Sequence, residues 1–236
     1  MNDTNNGQPR QRWQILFSRA RPALRIRQAD LLAEFERAFR ESGLPLAQTG
    51  AKKPKARLKL AANVPPGIEL RGEVLEAYFD ELVPLDRIKA AGELFPDGVE
   101  LIDAKEVWQG FPSAASQLRA AEYEVEVTGE EVTSDVLRGA VVRLLGARKL
   151  LGQRRRGESE RRSDAGSRDL RPLIEDVEVI EVDDVAHRAR LRLVLRLDPS
   201  GAGRPEDVIG ALDLPLRAGL AVRTRLLFVD TPPIAR

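Results

Sequence analysis

From Arg188 to Leu197 the chain alternates: Ala189, Leu191, Leu193, Leu195 and Leu197 fall on one side, Arg188, Arg190, Arg192 and Arg196 on the other. That period of two belongs to a strand with one face in a core and one in water. Leu173 to Val182 supplies the first arm of the same hairpin. The rest of the chain has to provide a sheet for this hairpin and a cover for its apolar face.

The preceding residues show how. Trp13, Ile15 and Phe17 alternate as a first strand over Arg12 to Ser18. Leu31, Leu32, Phe35, Ala38 and Phe39 then recur at the spacing of one buried helical face, with Asp30 near its start and Gly43 and Pro45 at its end. Leu58 and Leu60 alternate with Arg57 and Lys59, and a Pro65-Pro66-Gly67 turn leads into Glu69 to Asp80. Pro84 opens a second helix through Leu85, Ile88, Ala91 and Phe95, because proline suits a first helical turn. Val99 to Val107 closes the series as a strand.

The order strand, helix, strand, strand, helix, strand then recurs. Tyr123, Val125 and Val127 alternate as a strand, and Val132, Val136, Ala140, Val141 and Leu144 mark a helix ended by Gly146. After the hairpin, Pro205 opens a short helix with Val208 and Leu212, and Val222 to Val229 is the closing strand. The reading is α+β: two tandem ferredoxin-like (βαββαβ) units with antiparallel sheets and helices on one face of each. Residues 1–9 are expected as a disordered tail, 10–107 as the first unit, 108–121 as a linker, and 122–236 as the second unit with a basic loop at 152–168.

The formal net charge of +1 conceals strong segregation. Arg10 to Lys59 holds thirteen Lys and Arg against four acids, Glu69 to Asp135 five against seventeen, and Arg148 to Arg171 nine against four. Such blocks say where partners are attracted. Arg154, Arg155, Arg156, Arg161 and Arg162, with Arg171 nearby, have the planar fork that grips phosphate oxygens in pairs. Arg19, Arg21, Arg25 and Arg27, with Lys52, Lys53, Lys55, Arg57 and Lys59, form a second basic region. The competing reading is a set of solvated loops. Base-stacking aromatics within reach in sequence are limited to Trp13 and Phe17.

Catalytic chemistry is thinly supplied. With no Cys and a single His, the chain has no thiolate metal site, no cysteine nucleophile and no histidine pair. His187 falls in the hairpin turn Asp183-Asp184-Val185-Ala186-His187, where solvent exposure is the simpler reading. No phosphate-binding glycine loop occurs. Glu175, Asp176, Glu178, Glu181, Asp183 and Asp184 could be imagined around a divalent ion, but they sit on the arm that pairs with the arginine face and are read as its ion-pair partners. No catalytic residue, metal or cofactor is expected. No apolar run approaches the roughly 20 residues of a membrane span, and no secretory signal is visible, so a cytoplasmic protein without a membrane partner is expected.

One resemblance extends over nearly the whole sequence. Arg12 to Phe17, Asp30 to Pro45, Pro54-Lys55, Ala120-Ala-Glu-Tyr123, Asp169-Leu-Arg-Pro-Leu-Ile174, Arg204-Pro-Glu-Asp-Val208 and Arg223-Thr-Arg-Leu-Leu227 resemble, in order and spacing, the radical-SAM-linked family of uncharacterised proteins. The resemblance implies an accessory role to a radical SAM enzyme acting in trans, with RNA as its object. Members similar to it carry Ser-His-Leu-Asp where this chain has Arg27-Gln28-Ala29-Asp30. They also carry a Gly-Phe-Asn-Pro-His-Pro-Lys-like loop where it has Gly50-Ala51-Lys52-Lys53-Pro54-Lys55. Both histidines are missing here, which favours a binding module over a catalyst. The expected function is a noncatalytic partner that binds or presents tRNA or rRNA, with no small-molecule substrate. A protein adaptor docking through the acidic Glu69 to Asp135 region is the alternative, and an endoribonuclease, by fold analogy with CRISPR RNA-processing proteins, the third.

Overall fold

The computed structural model of the chain describes residues 9–50, 52–152, 169–198, 201–230 and 234. The fold is α+β, with mostly antiparallel strands, in two compact units: Met1–Leu118 together with Phe228–Arg236, and Arg119–Leu227. The expected boundaries shift accordingly. Residues 114–121, expected within a linker, form a short helix and the start of a strand. The last residues, expected in the second unit, group with the first. The disordered-tail expectation falls, apart from the buried Pro9, outside the described residues.

The first unit runs β1 (Gln11–Arg19), α1 (Gln28–Glu41), β2 (Leu58–Leu60), β3 (Glu69–Phe79), α2 (Leu85–Gly92), β4 (Val99–Glu106) and α3 (Ala114–Gln117). Its strands lie in the order β4-β1-β3-β2, every neighbouring pair antiparallel. The alternation read in β1 places Trp13, Ile15 and Phe17 against α1 and α2, in one cluster with Leu31, Phe35, Phe39, Ile88 and Ala91. Phe35 is its centre: its ring lies 5.1 Å from Phe17 and 4.8 Å from Phe95. Trp13 and Phe17 are thus core residues, not stacking platforms. Gly43, at φ +67, ends α1 in the left-handed conformation that glycine adopts without strain. The outer face of α1 is neutralised by Arg37 with Glu34 and Glu41, and Arg40 with Glu36.

Arg19, which the sequence grouped with the basic region, is fully buried. Its guanidinium donates to the carbonyls of Ile26, Pro65 and Ile68 at 3.2, 2.7 and 2.7 Å, fastening the loops that flank α1 and precede β3. It is a structural arginine.

The second unit runs β5 (Leu118–Thr128), α4 (Ser134–Gly146), β6 (Ile174–Asp183), β7 (Arg188–Asp198), β8 (Gly201–Ala202), α5 (Pro205–Ala211) and β9 (Arg217–Phe228). The spatial order is β9-β5-β7-β6, with β8 pairing β7. Ala189, Leu191, Leu193 and Leu195 are buried, as the alternation requires. In α4 the buried stripe is Leu137, Ala140, Val141 and Leu144, so Leu137 holds the place read for Val136. The helix begins one residue after its cap, Thr133, whose hydroxyl accepts from Val136 N. Among the described residues, no helix is long and apolar enough to cross a membrane.

Truncating Phe35 to Ala removes the ring that joins Phe17 and Phe95, and the cavity should cost about 3–5 kcal/mol. Arg40→Ala, on the solvated side of the same helix, should cost no more than about 0.5 kcal/mol. Urea midpoints of the two variants measure the contrast.

Candidate nucleic-acid interface

The sheet face of the first unit that points away from α1 and α2 carries Arg12 and Gln14 from β1, Glu76 and Tyr78 from β3, and the side chains of Arg57 and Lys59 from β2 and its approach. Isolated charges on a covered sheet face would be costly, and here they are paired. Arg12 forms a buried ion pair with Glu76 Oε1 and donates to the carbonyls of Phe111 at 2.6 Å and Pro112 at 3.0 Å. The same Glu76 oxygen accepts from Gln14 Nε2 at 3.1 Å and from Ala114 N at 2.9 Å. One carboxylate therefore joins two strands and the segment leading to α3.

Tyr78 lies between two arginines. Arg57 stacks 4.8 Å from its ring centroid and Arg12 lies 5.8 Å away. Burial, and next the Glu76 carboxylate, push the phenol above its ordinary range, with both arginines opposing. It remains a neutral phenol at physiological pH and cannot serve as a base there. At 8 % exposure it is also covered, so Arg57 and not a base occupies its ring face.

Outward from Tyr78 the character changes. A hydrogen-bonded loop, closed by Thr49 N to Lys55 O at 2.9 Å and Lys55 N to Thr49 Oγ1 at 3.2 Å, presents Lys52, Lys53 and Lys55 to solvent. Arg57 and Lys59 continue the strip along β2, where Lys59 is opposite Glu76 in register yet exposed. Lys52, Lys53, Lys55 and Lys59 have no ion-pair partner among the described residues. Arg21, Arg25 and Arg27, before α1, are exposed in the same unpaired way.

The arginine-rich face of the second unit is different, because acids of β5 and β6 neutralise it. Arg192 bridges Asp176, Glu178 and Glu122, Arg190 pairs with Glu181, and Arg188 with Asp183. Burial alone would raise the Glu122 carboxyl, but hydrogen bonds from Arg225, Thr224 and Arg192 hold it below the usual carboxylate range. Arg171 is committed as well, donating to Ile174 O at 2.7 Å and Leu145 O at 3.1 Å. It pins the end of α4 to the start of β6 and is not offered to phosphate. Arg154, Arg155, Arg156, Arg161 and Arg162 lie outside the described residues. His187 sits at φ 49 in an exposed turn, its carbonyl accepting from Gly129 N.

Among the described residues, no group of three or more His, Cys, Asp or Glu is placed to hold a metal ion. A cavity of about 500 Å³ in the second unit, lined by Glu206, Ile209, Asp213 and Leu216 among others, brings together two carboxylates and no nucleophile beside a base. One exposed aromatic escaped the sequence reading: Trp108, 79 % exposed just beyond β4. A lone tryptophan with no periodic neighbours gives no signal in sequence, since only the turn geometry turns it outward.

Fold and site together describe an α+β protein with a strip of lysines along β2 and its approach that have no ion-pair partner among the described residues. The chain belongs to a family of uncharacterised proteins conserved in bacteria (DUF2344), which matches residues 12–205. No curated protein matches it. Among solved structures it is similar to a chain of a Cbf5-Nop10-Gar1 complex, at 12 % identity and a TM-score of 0.51 over 91 % of this chain. This chain spans about half, 48 %, of that one, and the likeness is of fold alone. A crystal structure of an unknown protein from Galdieria sulphuraria aligns at 11 % identity over 89 % of this chain and 96 % of that one. Its TM-score of 0.24 is too low for a shared fold.

Two outcomes test the electrostatics. Glu76→Leu leaves Arg12 buried without its partner and should cost about 3–5 kcal/mol, whereas Arg12→Leu combined with Glu76→Leu should cost far less than the sum of the two single changes. Chemical denaturation of the four proteins completes the cycle. Glu122 has a depressed folded-state pKa, so its contribution is present above the ordinary carboxylate range and disappears as pH falls through and below about 4. Glu122→Gln should flatten the acid limb of a stability-versus-pH curve.

Proposed function

We propose that this protein is a noncatalytic, cytoplasmic accessory protein that binds or presents RNA, a tRNA or rRNA, to a radical SAM enzyme acting in trans. The observation that carries the reading is the contrast in pairing. The arginines of β7 are matched by carboxylates, whereas Lys52, Lys53, Lys55 and Lys59 line one exposed strip without any. Unmatched cations in a row suit a polyanion whose phosphates release their counterions on binding. The basic stretch Arg154, Arg155, Arg156, Arg161 and Arg162 adds cations to the same reading at the level of sequence. The radical SAM connection rests on the family resemblance.

Each unit is further proposed to be ferredoxin-like. In support, both follow the order βαββαβ and both arrange the four principal strands so that the first and third are central. The adaptor reading is favoured by a second surface of the first unit, which carries the exposed Leu82 and Trp108. The endoribonuclease reading has no comparable support, because the single His187 stands alone in a turn.

Fluorescence polarisation of labelled tRNA and rRNA fragments at low and physiological salt tests the proposal. Binding should weaken steeply with salt. Replacing Lys52, Lys53 and Lys55 together by Ala should lower the slope of log K against log salt by about 2, at about 0.7 per single-strand phosphate contact. The Arg154, Arg155 and Arg156 to Ala variant reads the share of the second stretch. Absence of binding at low salt overturns the RNA reading and leaves the adaptor.

A further inference from the structure

Two large apolar side chains stand in solvent at one end of the first unit, and both are held there. Leu82, 72 % exposed, lies in the loop after β3 between two fixed points: Asp80 N donates to Pro45 O at 2.9 Å and Val83 N to Gln11 Oε1 at 2.7 Å. Trp108, 79 % exposed, lies just beyond β4 between Val107, whose N donates to Arg12 O at 2.8 Å, and a turn closed by Phe111 N to Trp108 O at 3.0 Å. Gln109 Nε2 adds a bond to Pro9 O, and the Arg12 guanidinium grips the carbonyls of Phe111 and Pro112. The indole ring rests on Gly110, where a Cβ would fall 2.3 Å from the ring. Both loops are anchored to the first residues of β1. Because β1 lies between β3 and β4, they flank it at about two strand spacings, ~10 Å.

Asp80, Glu81 and Glu106, each within two residues of one of these side chains, are exposed and have no ion-pair partner among the described residues; Arg10, before β1, is exposed as well. Carboxylates in this position repel a phosphate backbone and attract cations. An aromatic and an aliphatic anchor inside a charged rim are the make-up of a protein-binding hot spot.

We propose that Leu82 and Trp108, rimmed by Asp80, Glu81 and Glu106, dock a cationic protein segment that inserts apolar side chains between its basic residues. Asp80, Glu81 and Leu82 follow the end of β3 and Trp108 the end of β4, whereas the lysine strip follows β2, which pairs with β3 over Leu58–Leu60.

The full chain reports on this directly, since it has two tryptophans and Trp13 is 5 % exposed. The probe is a short synthetic peptide of alternating arginine and leucine, with a glutamate-for-arginine version and oligouridine as comparisons. Trp108 emission is taken as the difference between the native protein and Trp108→Phe. The arginine peptide should shift it to the blue in a saturable, salt-sensitive way. Leu82→Ser and the double variant Glu81→Gln, Glu106→Gln should each weaken labelled-peptide binding at least tenfold, with circular dichroism unchanged. No saturable shift, or equal binding of the glutamate peptide, overturns the proposal. Quenching of Trp108 by oligouridine overturns it in favour of a base-stacking surface. RNA affinity in Leu82→Ser separates the two readings: it stays at the native value if the lysine strip is the grip, whatever the peptide does.

Discussion

The buried pair of Arg12 and Glu76 governs the first unit. Two charges removed from water are costly unless hydrogen bonds replace the lost hydration, and the Arg12 guanidinium nitrogens and Glu76 Oε1 spend theirs tying β1 and β3 to the backbone of residues 111–114, while Arg12 Nε and Glu76 Oε2 are buried without a partner. Three consequences follow. The sheet face opposite the helices is closed over its centre, Tyr78 is confined between Arg12 and Arg57, and the turn bearing Trp108 has a fixed orientation. An apolar pair of similar volume would fill the space, but it would give the segment after β4 no hydrogen bonds to align on.

The same logic sorts the cations. A guanidinium offers a planar fork, and wherever this chain places one near a carboxylate or a cluster of carbonyls it is consumed: Arg19 and Arg171 on carbonyls, Arg37 and Arg40 on helix acids, Arg192 on three carboxylates. Lysine, a strongly hydrated point charge on a flexible stem, is what remains at the exposed strip. Net charge by segment therefore misleads. The Arg10 to Lys59 block carries its excess largely in the residues before α1 and in the loop leading to β2, and part of it, Arg12 and Arg19, faces inward.

Much of the fold was legible because its signals are periodic. The alternations in β1 and β7 and the stripe Leu31, Phe35, Phe39 in α1 depend on repeated positions, so a single exception leaves them readable. In α4 the signal is present but points to Leu137 in place of Val136, since Leu137 lies three, four and seven residues before Ala140, Val141 and Leu144 on one helical face. Features that depend on one contact were not legible. Trp13 and Phe17 looked available for stacking only while their direction was unknown, and Trp108 was overlooked because an isolated tryptophan in a turn resembles any other. At the candidate interface, charge alone singles out Lys52, Lys53, Lys55, Arg57 and Lys59, and of these the four lysines are exposed. The carbonyl partners of Arg171 at the end of α4 and the start of β6 are invisible to a charge count.

The two surfaces proposed on the first unit differ in what binding would have to overcome. A lysine strip attracts polyanions at long range but holds them loosely, through contacts screened within about 8 Å at physiological salt. Leu82 and Trp108 attract little at long range, yet each buried apolar side chain gains free energy that salt does not screen. An accessory protein that must hold one macromolecule durably and hand another on gains from this division: the apolar anchors favour slow dissociation, and the exposed lysines favour fast association. The division also requires that the surfaces not neutralise each other, since lysines and acids within a Debye length would pair. The lysines follow β2 and its approach, the acids stand where β3 and β4 leave the sheet, and the buried pair of Arg12 and Glu76 closes the face of β1 and β3 with an electrically matched stretch of sheet.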